Sequence, residues 1–511
     1  LPANQNPGHD EHRLAGPLSA AVAALCVRLT PQVSVGTRDG FRGVLRRLEA
    51  PLQVAVAGRI KSGKSTLVNA LIGRRVAPTD VGECTRLVTR FSYGTVDRVE
   101  VVLVDGTKRV LPFDANGMIP ADLGGTESNR VSHLEAYLTN AVLRDLTVID
   151  TPGLGSLDAD SVTRTEQLLD PVSTNAVAGA EAVLYVVTQS VRADDQQVLT
   201  AFAAATASRE AGPANVVAVL NKADMITPQS VPGADGEVWR AAELLAGRQA
   251  DALKPQVAGV LPVIGLLAET AETGRFGSAD ADALRSLAAL DEATWQTMTV
   301  SADLFTTWEA PMPTATRVRL LETLDLYGIR CAVEALRKES TLSTGDIRRL
   351  LLASSGLAGV RGRLDNVFRA RADGIKAAAA LASITALAHA TGDVGERQRV
   401  HDAIEVLLSR PEAHQLRLLE ALTLIASGAV DMPEDLADEV LRVGSGTGGP
   451  AEVGEQLGLA GRPVRDLASY ALERAGWWRS FASFGATPGQ SRVAHVVHRA
   501  YFLLWQQLND A

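Results

Sequence analysis

Gly58-Arg59-Ile60-Lys61-Ser62-Gly63-Lys64-Ser65 follows the apolar run Gln53-Val54-Ala55-Val56-Ala57 and leads into Thr66-Leu67-Val68-Asn69-Ala70-Leu71-Ile72-Gly73. The first run reads as a buried strand and the last as a helix. Between them, glycines let backbone N–H groups curl around an anion, and the helix start adds a favourable partial charge. This spacing in this context predicts a phosphate loop in which Gly58, Ile60, Lys61, Ser62, Gly63, Lys64, Ser65 and Thr66 line a polyphosphate. Lys64 is expected to reach the β- and γ-phosphates, and the Ser65 hydroxyl to ligate Mg²⁺.

Two further motifs arrive in order on strand ends. Asp150-Thr151-Pro152-Gly153 closes the run DLTVID, which places Asp150 near the magnesium shell and the Gly153 N–H where a γ-phosphate would lie. Asn221-Lys222-Ala223-Asp224 closes NVVAVL. A carboxylate there, Asp224, can accept from both the N1–H and the exocyclic amine of guanine, a pair that adenine lacks, while Lys222 lies along the ring. Either short motif alone is weak. Three of them, ordered on three strand ends, imply GTP and GDP with Mg²⁺.

The runs QVAVAG, RVEVVLVD, DLTVID, EAVLYVV, NVVAVLN and GVLPVIG recur between helical stretches from Pro51 onward, predicting an α/β P-loop GTPase domain with a mostly parallel sheet and helices on both faces. Asp105-Gly106 between RVEVVLVD and TKRVLP predicts an antiparallel hairpin at the sheet edge. After Thr341 the β pattern gives way to three- and four-residue apolar spacing, the sign of an elongated helical bundle. The expected division is 13–50 (N-terminal helices joining the neck bundle), 51–340 (the GTPase domain), 341–484 (a helical trunk) and 485–511 (a helix returning to the neck).

Composition narrows the classes. The chain has 511 residues, 50 Lys+Arg against 59 Asp+Glu and a formal net charge of −9, which disfavours a nucleic-acid partner. Cys26, Cys84 and Cys331 have no metal-site or disulfide spacing, so a reducing compartment is expected. The longest apolar stretch is too short and alanine-rich to span a bilayer, and LPANQNPGHD lacks the pattern of a secretory signal. A cytoplasmic location follows as the expectation.

The three motifs, the helices ahead of them, the long interval between Ser65 and Asp150 and the helical second half together resemble the dynamin-like GTPases. More narrowly they resemble the bacterial members, the mycobacterial isoniazid-inducible pair above all. The resemblance implies GTP hydrolysis by in-line attack of water, coupled to membrane remodelling (fission or fusion) at the inner face of the plasma membrane. It also implies anionic-lipid contact, self-association and a paralogous dynamin-like partner. It makes Thr85, in PTDVGECTR, the switch threonine that ligates Mg²⁺ and touches the γ-phosphate. Ile60 and Lys61 occupy the loop positions where dynamins carry Gln and Ser, Leu154 follows DTPG where Ras-like enzymes carry Gln, and Ser156 stands where dynamins place a further polar residue. Guanylate-binding relatives place a catalytic Arg at the position of Lys61, which makes Lys61 a catalytic candidate alongside Lys64, Ser65, Thr85 and Gly153. Lysine is scarce, seven residues against 43 arginines, yet Lys61, Lys64 and Lys222 all lie in these motifs. The competing reading is a soluble regulatory GTPase whose bundle grips a protein.

Two segments suit a lipid contact. Arg361, Arg363, Arg369, Arg371 and Lys376 form a basic run that otherwise reads as a solvated bundle face. Trp477, Trp478, Phe481 and Phe484 surround Arg479 beside a Gly/Pro joint, and otherwise read as bundle core or hinge.

Overall fold

The computed structural model describes residues 14–78, 87–152, 180–190, 195–196, 199, 216–253, 256–257, 259–365, 371–426, 428–444, 453–454 and 456–510. Among the described residues nine strands form one sheet: β1 (Leu52–Gly58), β2 (Thr89–Tyr93), β3 (Arg98–Leu103), β4 (Lys108–Leu111), β5 (Val131–Leu138), β6 (Leu146–Asp150), β7 (Ala182–Val187), β8 (Val216–Asn221) and β9 (Val260–Val263). Their spatial order is β4-β3-β5-β2-β6-β1-β7-β8-β9. The run β6-β1-β7-β8-β9 is parallel throughout, so its amino ends gather on one side and its carboxyl ends on the other. Antiparallel pairing enters at β2 against β6 and continues in the β3–β4 hairpin, which turns through Gly106 and ends the sheet as expected.

Alternation along the central strands explains the two layers. Val54 and Val56 of β1, with Leu184 and Val186 of β7, face the core built on the Lys64–Ile72 helix. Ala55, Tyr185 and Val187 face the opposite core, which holds the Val238–Leu253, Gly265–Glu272 and Thr314–Lys338 helices. A strand buried on both faces reads as a nearly continuous apolar run, as β7 does and as β8 does up to Asn221 at its end.

Packing moves the expected boundary at 340. Ser343 and Asp346 cap the next helix reciprocally, so the STLSTG joint is a helix start rather than a linker. Ile347 and Leu351 then join one sheet core, and Leu357, Val360 and Leu364 the other. The α/β body therefore extends to Leu364.

Beyond it, the described residues form two larger helical cores and a small cluster of Ile375, Ala378 and Leu419. Pro17–Leu29 and Val35–Glu49 pack on Ala372–Ala390 and Val394–Leu408, as the apolar stripe of residues 13–50 requires. Carboxylates from the distant half cap both N-terminal helices: Asp373 accepts the Leu18 and Ser19 N–H groups at 2.9 and 2.7 Å, and Glu396 accepts the Ser34 N–H at 2.8 Å. The helix Pro488–Asp510 departs from expectation. It shares its core with residues 421–482, antiparallel to Val464–Phe484, instead of returning to the N-terminal pair. Glu439 anchors that second core by accepting from Trp478 Nε1 (2.9 Å), Tyr501 Oη (2.6 Å) and Arg474 Nε (2.9 Å).

The basic run is a solvated face only in part: Arg363 is exposed. Arg361 pairs with Glu272 at 2.6 Å, while Arg371 and Lys376 are buried where the two halves meet. Arg369 lies outside the described residues. The aromatic cluster divides: Trp478 is fully buried, whereas Trp477 stacks on Phe481 near the surface and Phe484 is 93% exposed at the hairpin turn.

Candidate functional site

The carboxyl ends of β1, β6, β7 and β8 converge, as the rule for parallel sheets requires. From β1 the chain enters the loop through Gly58 at φ 148°, where a Cβ would lie 2.4 Å from the Val186 carbonyl oxygen. It leaves through Gly63 at φ 90°, where a Cβ would lie 2.2 Å from Asn221 Nδ2. Both glycines are therefore set by close approach as well as by backbone conformation. Lys61 takes a left-handed conformation without that freedom, at φ 62°.

Three side-chain links bring the predicted residues together. Ser65 Oγ donates to Asp150 Oδ2 at 2.8 Å. Lys64 Nζ donates to the Arg59 carbonyl at 2.8 Å and feels the Asp150 charge. Asn221 Nδ2 donates to the Ser62 carbonyl at 2.8 Å, while its Oδ1 accepts the Lys222 N–H at 2.8 Å and the Gly265 N–H at 2.9 Å. That asparagine, 2% exposed, uses both ends of its amide to tie the third motif to the first and to the helix after β9.

Electrostatics follow from burial. Asp150 is pushed up to about 6 by loss of solvent, against the pull of the Ser65 hydroxyl and the Lys64 charge. Burial lowers Lys64 in turn. The second oxygen of Asp150, Oδ1, is buried with no hydrogen-bond partner, as is Ser62 Oγ. A carboxylate oxygen left over beside a serine hydroxyl is an all-oxygen donor set of the kind hard divalent cations take. Asp224 is likewise pushed up to about 6, by burial and by the negative charge of Asp325. Asp325 sits at a break in the Thr314–Lys338 helix, at φ 52° and ψ 175°, a conformation that strains any residue but glycine.

An open cavity of about 510 Å³ is lined by Arg59, Ile60, Lys61, Ser62, Thr188, Gln189, Ser190, Lys222 and Met225. Gly58, Asp150 and Asn221 end β1, β6 and β8, Gly63 lies in the loop after β1, Lys64, Ser65 and Thr66 start the helix that follows it, and Asp224 lies in the short turn of helix after β8. Thr85, Gly153, Leu154 and Ser156 lie outside the described residues. The motifs did not reveal Thr188, Gln189 and Ser190, which Gln249 holds by donating to the Thr188 and Gln189 carbonyls at 2.9 and 3.2 Å. Their signal was positional: they directly follow β7, itself readable from EAVLYVV.

Comparison with known proteins identifies the family. A model described as the Dynamin family matches residues 54–223. The isoniazid-induced protein IniC of Mycobacterium tuberculosis is 32% identical over 441 residues, covering 86% of each chain. The isoniazid-induced protein IniA of the same organism is 31% identical over 136 residues, 24% of this chain and 20% of that one. A bacterial dynamin-like protein of Nostoc punctiforme is 28% identical over 158 residues, 29% of this chain and 22% of that protein.

Proposed function

Because the chain belongs to the dynamin family, which carries guanine-nucleotide binding and GTPase activity, we propose that it hydrolyses GTP with Mg²⁺ and uses the cycle to move its helical half against a membrane. The observation that carries the nucleotide half is the convergence of three motifs by two hydrogen bonds of 2.8 Å, Ser65 to Asp150 and Asn221 to Ser62.

In this reading the loop N–H groups from Gly58 to Thr66 cradle the phosphates, and Lys64 exchanges the Arg59 carbonyl for β- and γ-phosphate oxygens. Ser65 and the free oxygen of Asp150 would hold Mg²⁺, with Thr85 joining them when GTP is bound. The ion would neutralise charge on the β- and γ-phosphates. Lys61 lines the cavity, exposed, and supplies positive charge as the bond between those phosphates breaks. The Gly153 N–H meets the γ-phosphate, Asp224 takes the guanine N1–H and amine, and Lys222 covers the ring. Water attacks the γ-phosphorus in line, GDP leaves, and loops that had touched the lost phosphate relax.

Calorimetry and phosphate release test this together. Micromolar or tighter GDP and GTP binding is expected, with hydrolysis that stops in EDTA; binding of ATP in preference to GTP rejects it.

The membrane half rests on the second helical core. Between Glu473 and Asp510 the sequence carries Arg474, Arg479, Arg492 and Arg499 and no acidic residue. At the hairpin turn within that span, Phe484 stands in solvent beside half-exposed Trp477 and Phe481. Aromatic rings with arginine suit an anionic headgroup layer. No described helix is long and apolar enough to cross a membrane, so the contact proposed is peripheral, at the inner face of the plasma membrane. Self-association and pairing with a paralogous dynamin belong to the same proposal. Flotation with anionic vesicles tests it, and protein that stays at the bottom with and without GTP favours instead a regulatory GTPase whose bundle binds a protein.

A further inference from the structure

Lys376 is buried in the Ala372–Ala390 helix, at 4% exposure, and its ammonium has three hydrogens for three acceptors. It donates to the Arg47 carbonyl at 2.8 Å and to the Ala50 carbonyl, and it pairs with Glu181 Oε1 at 3.7 Å. The two carbonyls lie at the end of the Val35–Glu49 helix, where unpaired C=O groups concentrate partial negative charge. Glu181 immediately precedes β7, and its Oε2 accepts the Gln53 N–H of β1 at 2.8 Å, while its own N–H donates to the Gln53 carbonyl at 2.9 Å. One ammonium thus joins the N-terminal helices, the longer helix they pack on and the amino ends of two central strands.

Those two strands are the ones that end at the nucleotide cavity. β1 and β7 run parallel in register from Val54 beside Ala182 to Gly58 beside Val186. Their carboxyl ends deliver Arg59 to Ser62 and Thr188 to Ser190 to the cavity. At about 3.3 Å per residue, cavity and Lys376 sit at opposite ends of a hydrogen-bonded rod roughly 20 Å long. On the helical side, Asp373, three residues before Lys376, caps Pro17–Leu29, and Glu396 caps Val35–Glu49, so these helices travel as one block. Burial lowers Lys376 and raises Glu181, each opposed by the other's charge, so separating them would strand two charges out of water.

We propose that Lys376 and Glu181 form the joint through which β1 and β7 transmit the nucleotide state to the helical half. The proposal rests on the reading that this GTPase drives its helices, and it names the residues that do so. A shift at the phosphate-loop end displaces Gln53 and Glu181 together. Lys376 must then either follow, carrying the block of helices, or lose its carboxylate and free that block to turn.

The test uses the full chain with spin labels at Val104→Cys and Val406→Cys, exposed positions on the sheet hairpin and on the Val394–Leu408 helix. Cys84 and Cys331 are replaced by Ser, and Cys26 is fully buried. Distance distributions are recorded without nucleotide, with GDP and with a non-hydrolysable GTP analogue. The parent distribution is expected to shift between GDP and the analogue. Lys376→Met and Glu181→Gln are each expected to cut that shift by at least half while GDP affinity stays within about twofold. Glu181→Gln keeps size and the acceptor for Gln53, so it reads the joint even where Lys376→Met does not fold. Variants that shift as far as the parent overturn the joint and leave the driven helices standing. A parent that binds both nucleotides without any shift overturns the coupling and the joint with it.

Discussion

Asn221→Ala is the substitution with the largest consequence that the site geometry specifies. It removes one donor and one doubly used acceptor, leaving the Ser62 carbonyl, the Lys222 N–H and the Gly265 N–H without partners at a position 2% exposed. An orphaned buried polar group costs about 1–3 kcal/mol, so the buried Ser62 carbonyl and Gly265 N–H, with the half-buried Lys222 N–H adding less, give a total on the order of 3 kcal/mol. That is a large share of the ~5–15 kcal/mol that holds a domain folded. A single unfolding midpoint blurs such an effect in a chain with several cores, so hydrogen exchange resolved by peptide is the suitable assay. A loss of ~3 kcal/mol in opening free energy speeds exchange roughly 10²-fold. It is expected in peptides covering β8 and residues 58–66, with Val464–Phe484 unchanged because it belongs to a different core. GDP affinity should fall by at least about tenfold, since the Ser62 carbonyl no longer fixes the loop. Ser62→Ala is the control: its hydroxyl has no partner, the carbonyl stays bound, and exchange should remain near the parent rate. Acceleration below about fivefold in Asn221→Ala, or spread evenly over the molecule, would refute the tie.

Lys61→Ala should lower GTP turnover on the order of 10²-fold with GDP affinity within about twofold, the pattern of a charge needed only as the bond breaks; equal loss in both makes it a binding residue. Metal-free GDP binding should weaken as pH falls through about 6. Burial and Asp325 raise free Asp224 to that value, whereas guanine donors favour its ionised form, so binding releases a proton below pH 6 and affinity at pH 5 is roughly tenfold weaker than at pH 7. Asp224→Asn should flatten that slope, and a persistent slope assigns it elsewhere. Phe484→Ser should cut anionic-vesicle partitioning on the order of tenfold, from the ~1.5–3 kcal/mol a buried phenyl ring contributes, without changing GTP turnover; unchanged partitioning removes the hairpin turn from the lipid contact.

What could be read in advance divides along physical lines. The central strands were legible because burial on both faces forces continuous apolar runs, and the motifs because phosphate binding constrains both backbone and side chain. β5 was not legible: in VSHLEAYL, His133 and Glu135 sit on a half-solvated face and break the apolar run. β2 is five residues with Arg90 among them. The boundary at 340 misled because a capping box and a linker share the same Ser/Thr/Gly/Asp composition, and the helix after it shows its allegiance only through what Ile347 and Leu351 touch. The Arg-rich run, exposed at Arg363, misled elsewhere for a related reason. Charge on a helix normally means solvent, but at a junction the acceptors come from distant segments: Glu272 for Arg361, and Glu181 with two helix-end carbonyls for Lys376.

The scarcity of lysine becomes intelligible in the same terms. An ammonium is a compact point donor that can aim three hydrogens at acceptors spread around it, whereas a guanidinium presents a wide planar fork. Lys64 is enclosed beneath the phosphate loop, bonded to one carbonyl and facing Asp150. Lys376 is enclosed among two carbonyls and a carboxylate. In each enclosure the acceptors lie around a single nitrogen, the arrangement a compact ammonium matches and a planar fork does not. Lys108 and Lys338, at the surface, show that the preference for arginine is not absolute. The buried pair shows where it yields, at the two ends of β1 and β7, which makes the geometry of a single side-chain head the common requirement of the site that holds phosphate and the joint that answers to it.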